Sequence, residues 1–397
     1  MYKVYSRTYQ RTLKMAAKYI PFREPDLLEG ENSLLKLPVL ILSKGVKTVL
    51  IVTDRGIREL GLMEPLLERL REEGIRYVIY DETVPNPTIA NIEDARVLYV
   101  THECDGILAF GGGSPMDCAK GVAARIVRPD KQVPQLKGQL KVRKEMPPFF
   151  AVPTTAGTGS EATVAAVVSN SETNEKYAIN DPVLIPHIAV LDPLLTVKLP
   201  KHITSTTGMD ALTHAVESYI GKSNTAQTRA YSIEAVKLIF DHLYKAYEDG
   251  SNLEARRNMQ RASYLAGMAF TRAYVGYVHA VAHTLGGFYH IPHGLANAVL
   301  LPYVLELYGE SVYKPLAELA DAIGIEGETE KEKAEAFIQA IRDLNAKMDI
   351  PSKLEGIQNR DIPVMIERAD KEAVPLYPVP RFLSKDELFY LYQVIQP

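Results

Sequence analysis

The sequence predicts a two-part chain: an α/β domain with a mainly parallel sheet over residues 1–199, then an all-α domain over 200–397. Three observations carry this. Between residues 34 and 192, short β-branched runs alternate with segments of helical period, the rhythm of parallel strands joined by helices. After Pro200 the texture changes to long helical periods. A glycine turn, Gly111 to Gly113, separates an apolar run from a helix start, the place where α/β sheets carry ligand loops.

The elements follow in chain order. Tyr5, Tyr9, Leu13, Ala16 and Ile20 recur at helical spacing before Pro21, in a segment whose Lys3, Arg7, Arg11, Lys14 and Lys18 have no acid among them. That pattern predicts a docked amphipathic helix in preference to a transit peptide. Strands are expected at Thr48–Thr53, Tyr77–Tyr80, Gly106–Phe110, Phe149–Val152 and Ile188–Leu191, with a helix at Met63–Glu73 between the first two. Helices are expected at Ser232–Glu248, Leu253–Tyr274 and Ser311–Ala322. The boundary near 199 is a change of class without a low-complexity linker.

Composition excludes several classes. With 397 residues, 46% hydrophobic and 24% charged, the chain has the size for two domains and the balance of a soluble globular protein. Its net charge of -4 and lack of a Lys/Arg-dense block argue against nucleic acid. No apolar run is long enough to cross a bilayer, and the N-terminus lacks a secretory signal, so no membrane role is expected. Cys104 and Cys118 are too few for a disulfide framework and fit a reducing compartment, which makes cytoplasm the expectation.

Ile107 to Phe110 run into Gly111, Gly112 and Gly113, then Ser114, Pro115 and Asp117. The order reads as buried strand, glycine turn and helix start, with Ser114 as N-cap, Pro115 first in the helix and Asp117 as the acid of a capping box. Glycines there let a pyrophosphate approach the backbone amides at the positive end of a helix. The spacing is not G-x-G-x-x-G. A second loop, Pro153 to Glu161, is dense in glycine and small hydroxyl residues and reads equally as a cofactor lining or a simple turn. Asp54, just past the Thr48–Thr53 run, is placed either to accept from ribose hydroxyls or to cap a helix.

The second half holds a different chemistry. Asp210 and His214 are four residues apart, as are His279 and His283, so on a helix each pair shares a face. His214, His279, His283, His290 and His293 fall among Ala, Gly, Leu and Val, where an unpaired ring is costly to bury. Ligation of a divalent metal explains that placement better than packing does. A metal hydrolase is disfavoured, because Ala280 stands where the H-E-x-x-H helix of metalloproteases carries its acid. A non-catalytic nucleotide-binding protein leaves the metal set without a purpose.

Gly111 to Lys120, Pro153 to Glu161, Gly208 to Glu217, and His279 to His283 with Pro292-His293-Gly294 together resemble the motifs of the iron-containing (group III) alcohol dehydrogenases, over almost the entire chain. The resemblance implies a Rossmann-like nucleotide-binding α/β domain and an all-helical domain, in the dehydroquinate synthase-like arrangement of that family, with the active site in the cleft between them. It implies Asp210, His214, His279 and His293 as metal ligands and His283 as the catalytic histidine facing substrate and nicotinamide. Asp54 and Asn86 are implied beside the adenosine ribose. Gly112, Gly113, Ser114, Thr154, Thr155 and Thr158, with Lys176, are implied along the phosphates and nicotinamide ribose, and Gly111 and Asp117 belong to the same cofactor loop. Gly30-Glu-Asn-Ser33 is less glycine-rich than in many members. The implied activity is NAD-linked interconversion of a primary alcohol or small diol and its aldehyde. Iron(II) is the implied metal, although carboxylate and imidazole ligands also suit zinc, as in the zinc-dependent glycerol-type dehydrogenases of the same superfamily. A homodimer or larger assembly is implied as well.

Overall fold

Short apolar runs become strands in the first part of the chain. The computed structural model describes residues 2–17, 22–173 and 175–397, and the chain divides into Pro21–Lys198 and a second unit made of Met1–Ile20 with Leu199–Pro397. In the first unit the described strands are β1 (Asp26–Glu29), β2 (Thr48–Val52), β3 (Arg76–Tyr80), β4 (Gly106–Gly111), β5 (Gly138–Gln139), β6 (Phe149–Pro153), β7 (Ala165–Asn170), β8 (Glu175–Asn180) and β9 (Ile188–Leu191). Six of them form a parallel sheet in the order β1-β9-β6-β4-β2-β3.

Every residue of β2, β4, β6 and β9 is buried, as parallel strands covered on both faces require. Alternate residues feed two cores. Leu50, Val52, Ile107, Ala109, Phe149 and Ala151 point to one face, and Val49, Ile51, Leu108, Phe110, Phe150 and Val152 to the other. The five expected strands are all present. Two features lie outside the sequence reading: the short edge strand β1, whose Asp-Leu-Leu-Glu has too few residues to show a period, and the half-exposed β7–β8 hairpin, antiparallel within a separate sheet ordered β5-β8-β7.

The second unit is helical. Its described helices include Lys201–Ile220, Ala226–Glu248, Leu253–Ala273, Tyr277–Tyr289, His293–Tyr308, Tyr313–Ala322 and Ile362–Ala373, and no strand occurs among its described residues. The N-terminal helix, Tyr2–Ala17, groups with this unit and not with the α/β unit where the sequence reading put it, and the junction between the units lies at Lys198–Leu199.

The docking surface of that helix also differs from the expected apolar stripe of Tyr5, Tyr9, Leu13, Ala16 and Ile20. Tyr5 is 61% exposed, whereas Gln10 is buried and donates to the carbonyls of Pro375 (2.9 Å) and Tyr377 (2.7 Å). Arg7 donates to Val379 O at 2.8 Å, and Lys14 to Lys222 O at 2.9 Å. The proline-rich segment 375–380 forms neither helix nor strand, so its carbonyls need partners from elsewhere, and polar side chains supply them. Ile20 lies outside the described residues.

Candidate metal centre

Close backbone approach brings the ligand helices together. Asp210 lies mid-way along Lys201–Ile220 and is 2% exposed. A Cβ on Gly208 would stand 2.2 Å from Leu243 Cδ1, and one on Gly294 would stand 2.4 Å from the carbonyl oxygen of Thr206. Only glycine at 294 lets the first turn of His293–Tyr308 lie this close to the Lys201–Ile220 backbone. Asp210 Oδ1 then lies 3.6 Å from His293 Nε2 and 3.9 Å from His279 Nε2, with one donor atom from each of the three residues within 4.8 Å of the others. A small divalent ion with bonds of about 2 Å fits among donors spaced in this way.

Hydrogen bonds aim these atoms inward. His279 Nδ1 donates to Glu217 Oε2 at 2.6 Å, which turns the Nε2 lone pair toward Asp210. Glu217 is itself held by the backbone amides of Gly276 and Val278, each at 2.8 Å. A Cβ on Gly276 would come within 2.6 Å of Glu217 Oε1, so glycine is required there too. Burial opposes protonation of His279, but the carboxylates of Glu217 and Asp210 outweigh it and raise its pKa above the ordinary histidine value. Proton and metal therefore compete for the same nitrogen. Asn297, one turn after His293, donates from Nδ2 to Asp210 Oδ1 at 2.7 Å and lies 3.2 Å from both imidazole Nε2 atoms. Its buried Oδ1 has no hydrogen-bond partner. A carboxylate and two imidazole lone pairs converging on one point form an electron-rich set that a divalent cation neutralises.

Three of the four expected ligands thus come together, and the fourth stands beside them. The His214 ring stacks on Phe270 (4.2 Å between centroids) and on His279 (4.6 Å), outside the mutually close trio. His283 stacks on His293 at 5.1 Å and donates from Nδ1 to Glu372 Oε1 at 2.6 Å. His290 caps the end of Tyr277–Tyr289 in a left-handed conformation (φ 56) and takes no part.

In the α/β unit Gly111, Gly112, Gly113 and Ser114 lie at the C-terminal end of β4 and Thr154, Thr155 and Thr158 follow that of β6, whereas Asp54 follows β2, Asn86 follows β3 and Lys176 lies on β8. Gly111 has φ 149 and Gly112 is extended, so the helix Gly113–Val127 starts at Gly113 with Gly112 as its N-cap. This corrects the expected cap: Ser114 and Pro115 lie inside the first turn, because the glycines bend the chain earlier than Ser114 could. Nor does Asp117 close a capping box; it accepts from Ser160 Oγ at 3.0 Å. A Cβ on Gly113 would lie 2.9 Å from Thr158 Cγ2, and one on Gly112 would lie 3.4 Å from Thr155 Cγ2, so the two loops touch through glycine. The amide of Thr154 donates to Gly111 O at 3.0 Å. Asn86, at φ 58, accepts from Lys176 Nζ at 2.7 Å and donates its amide to Ser114 Oγ at 3.2 Å. Asp54 caps the helix Arg55–Glu59 through Oδ1, which accepts from Ile57 N at 2.9 Å.

Four residues of this chemistry escape the motif reading. Glu217 lies two helical turns from Asp210, and Asn297 one turn from His293, so spacing alone could have found both. Lys120 falls inside a quoted motif, yet only its burial reveals a role. Glu372 is 89 residues from His283 and carries no local signal.

A nucleotide-type glycine turn on a parallel sheet and a carboxylate–imidazole trio, buried at Asp210 and His279 and partly open at His293, are the working parts of a metal-dependent oxidoreductase. The family described as iron-containing alcohol dehydrogenase matches residues 25–193, and the C-terminal region of the Fe-containing alcohol dehydrogenase family matches 204–395. The chain belongs to the iron-containing alcohol dehydrogenase family. It is 42% identical to 1,3-propanediol dehydrogenase of Klebsiella pneumoniae over 83% of this chain and 86% of that protein. It is 40% identical to alcohol dehydrogenase 4 of Saccharomyces cerevisiae (strain YJM789) over 90% and 93%. Among solved structures, 1,3-propanediol oxidoreductase superposes with a TM-score of 0.90 at 38% identity, covering 94% of this chain and 99% of that one.

Proposed function

We propose that this enzyme interconverts a primary alcohol or small diol and its aldehyde, using NAD and iron(II). The observation that carries the reading is the convergence of Asp210, His279 and His293 with the His279 tautomer set by Glu217. Iron(II) held by these residues supplies Lewis acidity toward the alcohol or carbonyl oxygen, and NAD supplies the hydride acceptor. His214, stacked against His279, is proposed as the fourth ligand. His283 takes the proton released on oxidation and returns it on reduction. Gly111, Gly112, Gly113, Ser114, Asp117, Thr154, Thr155, Thr158 and Lys176 hold the phosphates and nicotinamide ribose, and Asn86 with Asp54 the adenosine ribose. Small diols head the substrate class, which the similarity to 1,3-propanediol dehydrogenase supports. The two cysteines are free and buried, in keeping with a cytoplasmic enzyme, and no described helix is long and apolar enough to cross a membrane. A homodimer or larger assembly belongs to the same reading.

Metal-stripped protein reconstituted anaerobically with iron(II) is expected to regain turnover of short alcohols and diols with NAD. The check is reduced-cofactor formation across a panel of alcohols with iron-loaded and zinc-loaded enzyme. Full activity with zinc and none with iron overturns the metal assignment and favours the zinc polyol dehydrogenase.

Cofactor choice rests on local charge. Asp54 stands beside Arg55 and Arg58, but those are paired with Glu82 (2.6 Å) and Asp81 (2.6 Å), leaving three acids against two bases. Such a patch accepts ribose hydroxyls and repels the 2′-phosphate of NADP. Asp54→Gly is expected to raise the NADP/NAD ratio of kcat/KM by about one to three decades while NAD affinity falls. Loss of the cap to Ile57 lowers stability by only about 0.3 kcal/mol in the same variant, because glycine is itself tolerated at an N-cap. Steady-state kinetics with both cofactors decide the matter: an unchanged ratio would show that Asp54 only caps its helix.

A further inference from the structure

Glu372 occupies a position that is unfavourable for a carboxylate. It lies in the last turn of Ile362–Ala373, where the helix dipole disfavours negative charge, and its side chain is only 32% exposed. Two donors meet its Oε1: His283 Nδ1 at 2.6 Å and the hydroxyl of Tyr377 at 2.8 Å. Tyr377 is fixed in turn, since its backbone carbonyl accepts from the buried Gln10 of the N-terminal helix and its amide donates to Ala373 O at 2.7 Å. The chain Gln10, Tyr377, Glu372, His283 is therefore built from elements far apart in sequence, and it ends on the ring that stacks against His293.

We propose that Glu372, held by Tyr377, is a positioning residue that fixes His283 as the Nδ1–H tautomer and leaves Nε2 as the proton acceptor. The inference rests on the reading of His283 given above. On oxidation the alcohol loses a hydride to NAD and a proton that passes to Nε2; on reduction both return. A neutral ring with the wrong tautomer presents N–H where an acceptor is needed, so Glu372 acts on rate and not on assembly of the metal site.

The test is a double-mutant cycle on the full-length, metal-loaded enzyme. Glu372→Gln is expected to lower kcat by about 10- to 100-fold, with KM for alcohol and NAD changed less than about threefold and metal content unchanged. Glu372→Asp should recover part of the loss. In a His283→Ala background, Glu372→Gln should add less than about twofold, because the residue acts through a ring that is already gone. Independent multiplication of the two losses, or metal loss in the Gln variant, overturns the inference. A His283→Ala enzyme with wild-type kcat overturns the reading of His283 and the inference with it; an impaired His283→Ala beside an unimpaired Glu372→Gln overturns the inference alone. Should Glu372→Gln fail to fold, Tyr377→Phe carries the same cycle, with an expected loss of about threefold that vanishes in the His283→Ala background.

Discussion

His279→Ala is expected to yield a protein with no bound metal and no measurable alcohol oxidation, whereas His283→Ala keeps its metal and loses about two to four decades in kcat. The two histidines share one face of Tyr277–Tyr289, four residues apart, yet their partners differ. His279 Nε2 is one of the three converging donor atoms, and its other nitrogen is tied to Glu217, so truncation removes a ligand and strands a buried carboxylate. His283 turns its Nδ1 to Glu372 and its ring lies beside His293 without joining the trio. Glu217→Gln falls between the two: the ligand remains, but its orientation and basicity weaken, and metal affinity drops by about 10- to 100-fold. Metal content and turnover measured on the same preparations provide the check. A metal-free His283 variant beside a fully loaded His279 variant would invert the assignment. His214→Ala in the same set tests the fourth ligand: metal content that stays at the wild-type level there would show that His214 only packs against His279.

The parts that were legible in the sequence are those governed by short-range periodicity. Pairs four apart on a helix drew attention to Asp210 with His214 and to His279 with His283, but the converging trio takes one member from each pair and adds His293 from a third helix, a set that only the family resemblance implied. The buried strands β2, β4, β6 and β9 were visible because continuous apolar runs have few other uses. Local backbone chemistry was harder. Ser114 looks like an N-cap, but Gly111 adopts a φ closed to other residues and the helix begins before the serine. The N-terminal helix shows a similar inversion. Its apolar residues recur correctly, yet it docks through Arg7 and Gln10, whose partners are carbonyls of a distant proline-rich segment, and through Lys14, which donates to the carbonyls of Lys222 and Asn224, and no period reveals any of these. Glu372 was invisible for the same reason. Long-range partners of polar side chains are set by tertiary placement, and one sequence carries no trace of them.

Lys120→Met is expected to be the most damaging substitution in the nucleotide-binding unit, costing about 3–5 kcal/mol and most of the NAD affinity. Lys120 is fully buried on Gly113–Val127, and its ammonium donates to the carbonyls of Ser160 (2.6 Å), Thr163 (2.8 Å) and Ala165 (3.0 Å), with the hydroxyls of Ser160 and Thr163 at 3.2 and 3.0 Å. Three N–H groups thus serve the backbone at the end of the Pro153–Glu161 loop and just beyond it, next to Thr158, which packs against Gly113. Burial lowers the Lys120 pKa to about 8, while it pushes Asp117 up to about 6 and Glu161 up to about 7. Each group is poorly solvated, and the cation opposes the shift of both acids. Methionine keeps the length and the apolar stem but removes the ammonium donors from three carbonyls, of which Ser160 O keeps only the long bonds from Thr163, and takes away the buried cation that opposes the pKa rise of both acids. The loop loses its anchor, and the backbone amides proposed to hold the cofactor phosphates lose their fixed spacing. A fall in Tm of about 10 °C with weakened NAD binding is therefore expected, measured by thermal unfolding and by fluorescence titration with NADH. Metal content should stay at the wild-type level, because Asp210, His279 and His293 belong to the other unit. A Met variant with unchanged Tm and unchanged cofactor affinity would show that the loop holds its shape without the buried amine.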